Sequence, residues 1–268
     1  MKMHVGLSAV ILGSLLAARP AQALEPFALY DQFSTTPLSP TKWREAERAR
    51  VIKAGMLNTV QRDWGLTSSN AGVVATSWNT EVARPGRITQ FRTKILVNAY
   101  EVTGCAANSA VSEVRARSTE VFFNTGNPTS GSLLGDVLVQ GELSRSANSV
   151  DAPGLLRALG VVAICTASDC STSTLLAPAV DLGTVPVGTA AEISVEWNKA
   201  LKKFVFMRDG GAQTGELSYT VSDVADPGRP LTVLGSRTSV ANCATGPQAT
   251  GFIDASFDNV FVNRNAKP

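Results

Sequence analysis

The sequence predicts an all-β protein, a large antiparallel sandwich or barrel that forms one domain. Several segments of strand length alternate between apolar and polar residues, as antiparallel strands do when one face packs on a core. Turn signals rich in glycine, asparagine and proline separate these segments, and the chain contains 22 glycines and 13 prolines. Helical periodicity is confined to one short stretch, which argues against a parallel α/β fold.

The first 23 residues have the pattern of a secretory signal peptide. Lys2 starts a short basic region, an apolar run covers residues 5–16, and Ala21-Gln22-Ala23 supplies the small residues of a cleavage site. The apolar run is too short to span a membrane. We therefore expect a single domain over residues 24–268 of an exported protein, either periplasmic or extracellular.

Removal of the signal peptide changes which chemistry is open to the protein. It takes away the only histidine, His4, and with it Ser-His-Asp, Cys-His and His-ligated zinc chemistry. Lys2 and Arg19 are removed as well, so basic and acidic residues become equal in number. No cluster of Lys and Arg follows, which predicts no nucleic-acid partner. No later segment has the about 18 apolar residues of a membrane-spanning helix.

The four cysteines of an exported chain favour two disulfides over a metal site. Cys165 and Cys170 enclose a tight loop between apolar runs, so we pair these two. Cys105 and Cys243 then form the second bond. The other two connectivities stay open.

The alternation of apolar and polar residues predicts the secondary-structure elements. Residues 42–50 predict one or two helical turns, and β-branched, alternating sequence begins at Val51. Clear strands are predicted around 91–99, 136–143 and 192–197. Their core faces are Phe91, Thr93, Ile95, Val97 and Ala99; Val137, Val139 and Leu143; and Ile193, Val195 and Trp197. Their opposite faces are expected in water: Arg92, Lys94 and Asn98; Asp136, Gln140 and Glu142; and Glu192, Ser194 and Glu196.

The last strand contains a change of phase. Ile253, Ala255 and Phe257 alternate on one face, whereas Val260 and Val262 fall on the other. Because side chains alternate with a period of two, the change requires one extra residue. The sequence therefore predicts a β-bulge at Asp258-Asn259.

Residues 192–210 (EISVEWNKALKKFVFMRDG) resemble a hairpin of the concanavalin A-like lectin and glucanase superfamily. In that hairpin an Ile-Glu-Trp strand turns and returns as an apolar strand that ends in Asp-Gly. The likeness rests on Ile193, Glu196, Trp197, Phe204, Phe206, Asp209 and Gly210. YDQF at 30–33 and FDNVFV at 257–262 look like the edge pair of such folds. The resemblance implies a two-sheet jelly roll, often with a glycan-binding concave face, but one fold hosts many functions.

Catalysis is the first function to weigh. Glycoside hydrolysis needs two carboxylates about 5 Å or about 6.5–9.5 Å apart. Glu192 and Glu196 lie on one strand, about 13 Å apart at about 3.3 Å per residue. Where glucanases of the superfamily carry a Glu-x-Asp-x-Glu strand, residues 112–120 offer arginines instead. We therefore predict no catalytic residues.

Two binding sites are predicted. Asp31 and Asp258, with an oxygen from Asn259, are the candidate ligands of a structural calcium ion that would fasten the ends of the chain. These acids could instead cap backbone N–H groups. Trp64 and Trp78 flank the polar loop 67–72 and are the candidates for stacking on a sugar. The alternative is that both indoles belong to the core.

The function we predict is that of an exported, non-catalytic β-sandwich that binds glycans or surface polymers. The alternatives are a divergent glycoside hydrolase or polysaccharide lyase, and a purely structural or interaction domain. A hydrolase needs two acids that face each other across a sheet. A structural domain would have its sheet face covered by loops or by Arg/Glu pairs.

Overall fold

A computed structural model describes residues 47–82 and 88–263, which form fourteen strands and one 3₁₀ turn, Asp209–Gly211. The strands are β1 Glu47–Lys53, β2 Met56–Trp64, β3 Val73–Glu81, β4 Gln90–Val102, β5 Glu113–Asn124, β6 Asp136–Ser146, β7 Leu155–Cys165, β8 Ser173–Leu175, β9 Val180–Pro186, β10 Ala190–Asn198, β11 Lys203–Arg208, β12 Gln213–Ser218, β13 Thr232–Ala241 and β14 Thr250–Val262. The predicted signal peptide and Asp31 lie outside the described residues.

The strands form two antiparallel sheets of seven strands each, which confirms the predicted all-β, two-sheet fold. Sheet A has the order β1-β2-β14-β4-β10-β11-β12. Sheet B has the order β3-β13-β5-β6-β7-β8, and β9 also pairs with β7. Every pairing between these strands is antiparallel. Within the described part of the chain no helix is long and apolar enough to cross a membrane.

The core lies between the inner faces of the two sheets, where alternate residues of both are buried. Two glycines of sheet B allow a close approach. A Cβ on Gly160 would lie 2.3 Å from the ring of Phe206, and one on Gly141 would lie 2.6 Å from Ile193. Because these two glycines of sheet B have no side chain, large side chains of sheet A pack directly against the backbone there.

The helix expected at 42–50 is wrong for its last four residues, because Glu47–Lys53 is strand β1. This strand pairs with β2 from Glu47↔Arg62 to Lys53↔Met56. The two connecting residues, Ala54 and Gly55, have φ values of 51° and 80°. Positive φ at both positions is typical of a type I′ hairpin turn. The turn and the β-branched pair that precedes it thus outweigh the helical propensity of the charged stretch.

Of the three predicted strands, β10 and the first part of β4 have one buried and one wetter face, as expected. The core position predicted for Ala99 is wrong, because the pairing of β4 with β14 shifts there and Tyr100 and Val102 pack against the core instead.

The prediction for β6 is wrong on its polar side, because Asp136, Gln140 and Glu142 are at least 95% buried. The loop before β13 covers one end of this face. Asp136 accepts hydrogen bonds there from the backbone N–H groups of Gly228 at 2.8 Å and Arg229 at 3.0 Å.

The predicted bulge near the end of β14 is confirmed. The pairing of β14 with β4 shifts between Asp258 and Phe261, and Asn259 has a φ of 51°. The extra residue places Phe261 opposite Arg92 and Val262 opposite Phe91. A ring that an unbroken alternation would turn inward therefore lies on the outer face of sheet A.

The disulfides join Cys105 to Cys243 and Cys165 to Cys170, the connectivity that the spacing favours. Cys105 follows β4 of sheet A and Cys243 follows β13 of sheet B, so this bond ties the two sheets together. The second bond closes a loop after β7. The loop packs with Val121 and Leu133 on the outer side of sheet B.

Candidate functional site

A cavity of about 450 Å³ opens on the outer face of sheet A, where β14, β4, β10 and β11 lie side by side. Its floor is one row of paired residues. Phe261 lies opposite Arg92, Arg92 opposite Ser194, and Ser194 opposite Met207. Ser194 is the smallest residue of this row. A depression forms above it because the larger side chains stand on both sides.

Two glutamates bound the cavity along β10. Glu192 and Glu196 lie two residues before and two residues after Ser194, so all three point to the outer face of the sheet. Their Cα atoms are about 13 Å apart at about 3.3 Å per residue. Both side chains line the cavity.

Arg92 lies between one of these carboxylates and the aromatic wall. A guanidinium nitrogen lies 3.5 Å from Oε1 of Glu192, and the guanidinium carbon lies 4.3 Å from the centre of the Phe261 ring. The ion pair and the cation–π contact hold this long side chain in place. Glu192 is positioned in turn by its backbone N–H, which donates to Oδ1 of Asp209 at 2.9 Å.

The aromatic wall is provided by the bulge. Phe261 is 48% exposed, although it lies in a strand whose preceding ring, Phe257, is 2% exposed. Gln90, Met207 and Gly210 also line the cavity. The site thus combines an exposed ring and a thioether with carboxylate, amide, hydroxyl and guanidinium groups. These groups supply the apolar contact and the hydrogen bonds that a polyhydroxyl ligand needs.

The two predicted tryptophans lie on different sheets. Trp64 ends β2 in sheet A, opposite Thr250, and is half-buried. Trp78 lies within β3 of sheet B, where its Nε1 is buried without a hydrogen-bond partner and Arg50 lies 5.4 Å from its ring centre. Neither residue lines the cavity. Sugar stacking at Trp64 and Trp78 stays a prediction.

The predicted calcium ligands are only partly described, since Asp31 lies outside the described residues. Asp258 uses Oδ1 to accept a hydrogen bond at 2.7 Å from the backbone N–H of Asn259, its neighbour in the bulge. This is the capping role that the sequence left open. Among residues 47–82 and 88–263, no group of three or more acidic, histidine or cysteine side chains is placed to hold a metal ion. The calcium site stays a prediction.

Sequence reasoning noticed Glu192 and Glu196 but weighed them only as catalytic acids. It did not assign Arg92, Ser194, Met207 or Phe261 to a common site. The register of four strands brings these residues together, and their own sequence neighbourhoods do not reveal it. The one available signal was the phase change before Phe261, which indicates a side chain redirected by a bulge.

Comparison with known proteins gives structural likeness only. A kappa-carrageenase from Pseudoalteromonas carrageenovora, in complex with an oligotetrasaccharide of kappa-carrageenan, is 10% identical with a TM-score of 0.36. That match covers 86% of this chain and 93% of the other. An alginate lyase from Klebsiella pneumoniae is 10% identical with a TM-score of 0.39, over 83% and 86% of the two chains.

A legume lectin-like domain from Entamoeba histolytica is 11% identical with a TM-score of 0.33, over 80% of this chain and 89% of the other. These identities and TM-scores assign neither a ligand nor a reaction to this chain. No protein-family model matches the sequence, and no curated protein matches it.

Proposed function

We propose that this protein is an exported, non-catalytic β-sandwich that binds a neutral glycan in the cavity on the outer face of sheet A. The observation that carries the proposal is the lining of the cavity. The exposed ring of Phe261 stands beside Arg92, and two glutamates flank the small floor residue Ser194. A volume of about 450 Å³ lies within the range of small-molecule sites, about 300–1,000 Å³.

The charges at the cavity favour a neutral ligand over an acidic one. Two carboxylates and one guanidinium line it, and the guanidinium is already paired with Glu192. An acidic sugar would meet the remaining charge of Glu196, and the described residues that line the cavity supply no second cation to offset it. Sugar hydroxyls can instead donate to the carboxylates and accept from Arg92, while the apolar face of the sugar packs on Phe261.

The contacts of Glu192 support a binding role. Its carboxylate is paired with Arg92, and its backbone N–H donates to Oδ1 of Asp209, so the side chain and its strand are held in place beside the cavity. A divergent hydrolase or lyase remains the alternative, because both acids face the same cavity.

The test is a thermal melt of the purified protein against a panel of neutral oligosaccharides, followed by calorimetry with the best ligand. Ser194→Trp should fill the depression and weaken binding at least tenfold. The matched control is Ser218→Trp, an equal substitution at an exposed position of β12. It should bind as the wild type does. Equal affinity for the Ser194→Trp protein, or no midpoint shift with any sugar, would contradict the proposal.

The same samples separate binding from turnover. Incubation of the best ligand with the protein, followed by chromatography of the products, should return the sugar intact. Cleavage that Glu196→Gln abolishes would replace the binding function with the enzymatic alternative.

A further inference from the structure

Glu196 differs from the other charged residues that line the cavity of sheet A. Its carboxylate has no ion-pair or hydrogen-bond partner among the described residues. Arg92 and Glu192, which line the same cavity, form an ion pair with each other at 3.5 Å. The described lining therefore holds a balanced ion pair and, beside it, a carboxylate whose charge is not offset.

In the described part of the chain, the strands on both sides of Glu196 place no cation next to it. Glu196 lies opposite Gln90 of β4 and opposite Val205 of β11. The first is an amide and the second is apolar, so neither can neutralise a carboxylate. The next residues of β10 on the same face, Ser194 and Asn198, are uncharged as well. Glu196 thus has uncharged neighbours on all four sides within the sheet.

The nearby cations on this face are already bound to other carboxylates. Arg92 forms its ion pair with Glu192. On the other side, Lys203 of β11 lies one row further along, and its Nζ contacts both carboxylate oxygens of Glu216, at 2.8 and 2.9 Å. Either cation would have to give up an existing ion pair in order to bind Glu196.

The position of Glu196 makes its charge available to a ligand. The residue is half-buried and lines the cavity, so solvent and salt screen its charge less than they screen a fully exposed one. Its Cα lies about 7 Å from that of Ser194, two residues at about 3.3 Å each. A sugar ring placed over Ser194 can therefore bring one of its substituents to the carboxylate.

We infer that this cavity prefers a glycan with an unacetylated amino group, bound so that the ammonium donates hydrogen bonds to the carboxylate of Glu196. A primary ammonium has three N–H donors and one positive charge, which complement a carboxylate. The inference rests on the proposed function, because the ring of the sugar uses the same contacts with Phe261 and Ser194, and it names the class of sugar that the site selects. An acetylated amino group is uncharged and loses the ionic contact.

The test is titration calorimetry of the purified protein at low ionic strength and about pH 6, where a sugar amine is protonated and an ordinary glutamate is ionised. The probes are a glucosamine trisaccharide, its N-acetylated form, cellotriose and trilysine. We expect the wild type to bind the glucosamine trisaccharide about tenfold more tightly than either uncharged sugar, as a hydrogen bond between charged groups implies. Glu196→Gln should reduce this difference to about twofold or less.

Glu101→Gln is the matched control, because Glu101 is an exposed glutamate of the same face that is paired with Arg62 and does not line the cavity. It removes the same charge and should keep the preference for the amino sugar. Equal losses of preference in the two glutamine variants would reduce the effect to net charge and overturn the inference. So would a preference that persists in the Glu196→Gln protein. Trilysine that binds more tightly than the amino sugar would overturn the assignment to a glycan.

The outcomes separate this inference from the proposed function. If none of the sugars binds the wild type, the proposed function fails and the inference fails with it. If all three sugars bind equally and Ser194→Trp weakens all of them, the proposed function stands and the preference for an amine is overturned. Added salt should reduce the preference for the amino sugar, because screening weakens an ionic contact. A preference that salt does not change would contradict the ion pair with Glu196.

Discussion

The outer faces of the two sheets differ although the same alternation specifies both. On sheet A, β4 and β10 keep charged side chains in water and leave a cavity between them. On sheet B, the polar residues of β5 and β6 are almost entirely buried. Alternation therefore predicts which residues share a face and says nothing about what covers that face.

Two different coverings close the outer face of sheet B. At one end, the backbone N–H of Leu133 donates to the carbonyl of Ser168 at 2.8 Å, so the loops after β5 and β7 are bound to each other. In the middle, charged side chains pack over the strands. Glu142 lies directly opposite Arg117 and 3.6 Å from Arg115, and Arg237 lies directly opposite Arg115. We call these residues the arginine patch.

The largest contrast is expected between the two disulfides. Cys105→Ala/Cys243→Ala opens a link of 138 residues, and the chain-entropy relation gives a loss of about 5 kcal/mol in the free energy of unfolding. Cys165→Ala/Cys170→Ala opens a link of 5 residues, for which the same relation gives about 2 kcal/mol. Chemical denaturation of both variants measures the difference. Equal losses would show that the long link does not hold the sheets together.

The next prediction compares the same substitution, Glu to Gln, on the outer faces of the two sheets. Glu142→Gln removes a carboxylate that is 1% exposed and faces Arg115 and Arg117, so it should cost about 3 kcal/mol. Glu196→Gln makes the same change on the wetter face of sheet A and should stay within about 0.5 kcal/mol. Denaturant midpoints of the two variants decide the comparison. Similar values would mean that the arginine patch does not need its buried carboxylate.

A third prediction contrasts the inner and outer carboxylates of sheet B. Glu120 is 1% exposed on the inner face, and neither of its carboxyl oxygens has a hydrogen-bond partner. Burial raises the pKa of Glu120 well above its ordinary value of 4.5. The folded state therefore favours the neutral form of Glu120. The stability that this form contributes is present at acidic pH and is lost as pH rises through the raised pKa.

Glu120→Gln keeps the shape of the side chain and removes its ionisable group. The variant should match the wild type at pH 4, below the ordinary pKa of a glutamate, and become the more stable of the two at pH 9. Denaturation at both pH values, with Glu142→Gln as the comparison, measures this. A stability difference that does not change with pH would contradict a buried, neutral Glu120.

The sequence predicts the fold well where local signals decide it. Alternation specifies the core of β4 and β10, and the phase change locates the bulge of β14. It fails at residues 47–50, where the pairing of β1 with β2 outweighs a helical charge pattern. It fails again for Asp136, Gln140 and Glu142. A loop distant in sequence binds Asp136, and arginine side chains of neighbouring strands lie around Glu142.

The candidate sites are less predictable because each is assembled across strands. Ser194 has no signal of its own, and its role follows from the larger neighbours that the register places beside it. Arg115 and Arg117 are visible in the sequence. That Arg237 lies directly opposite Arg115 becomes evident only from the strand register.

The most direct test of binding in the cavity of sheet A is calorimetry of an uncharged trisaccharide with the wild type, Ser194→Trp and Ser218→Trp proteins at one ionic strength. We predict that Ser194→Trp loses at least tenfold in affinity, about 1.4 kcal/mol, whereas Ser218→Trp binds as the wild type does. Equal affinity of the Ser194→Trp protein, or an equal loss in both variants, would contradict binding in this cavity.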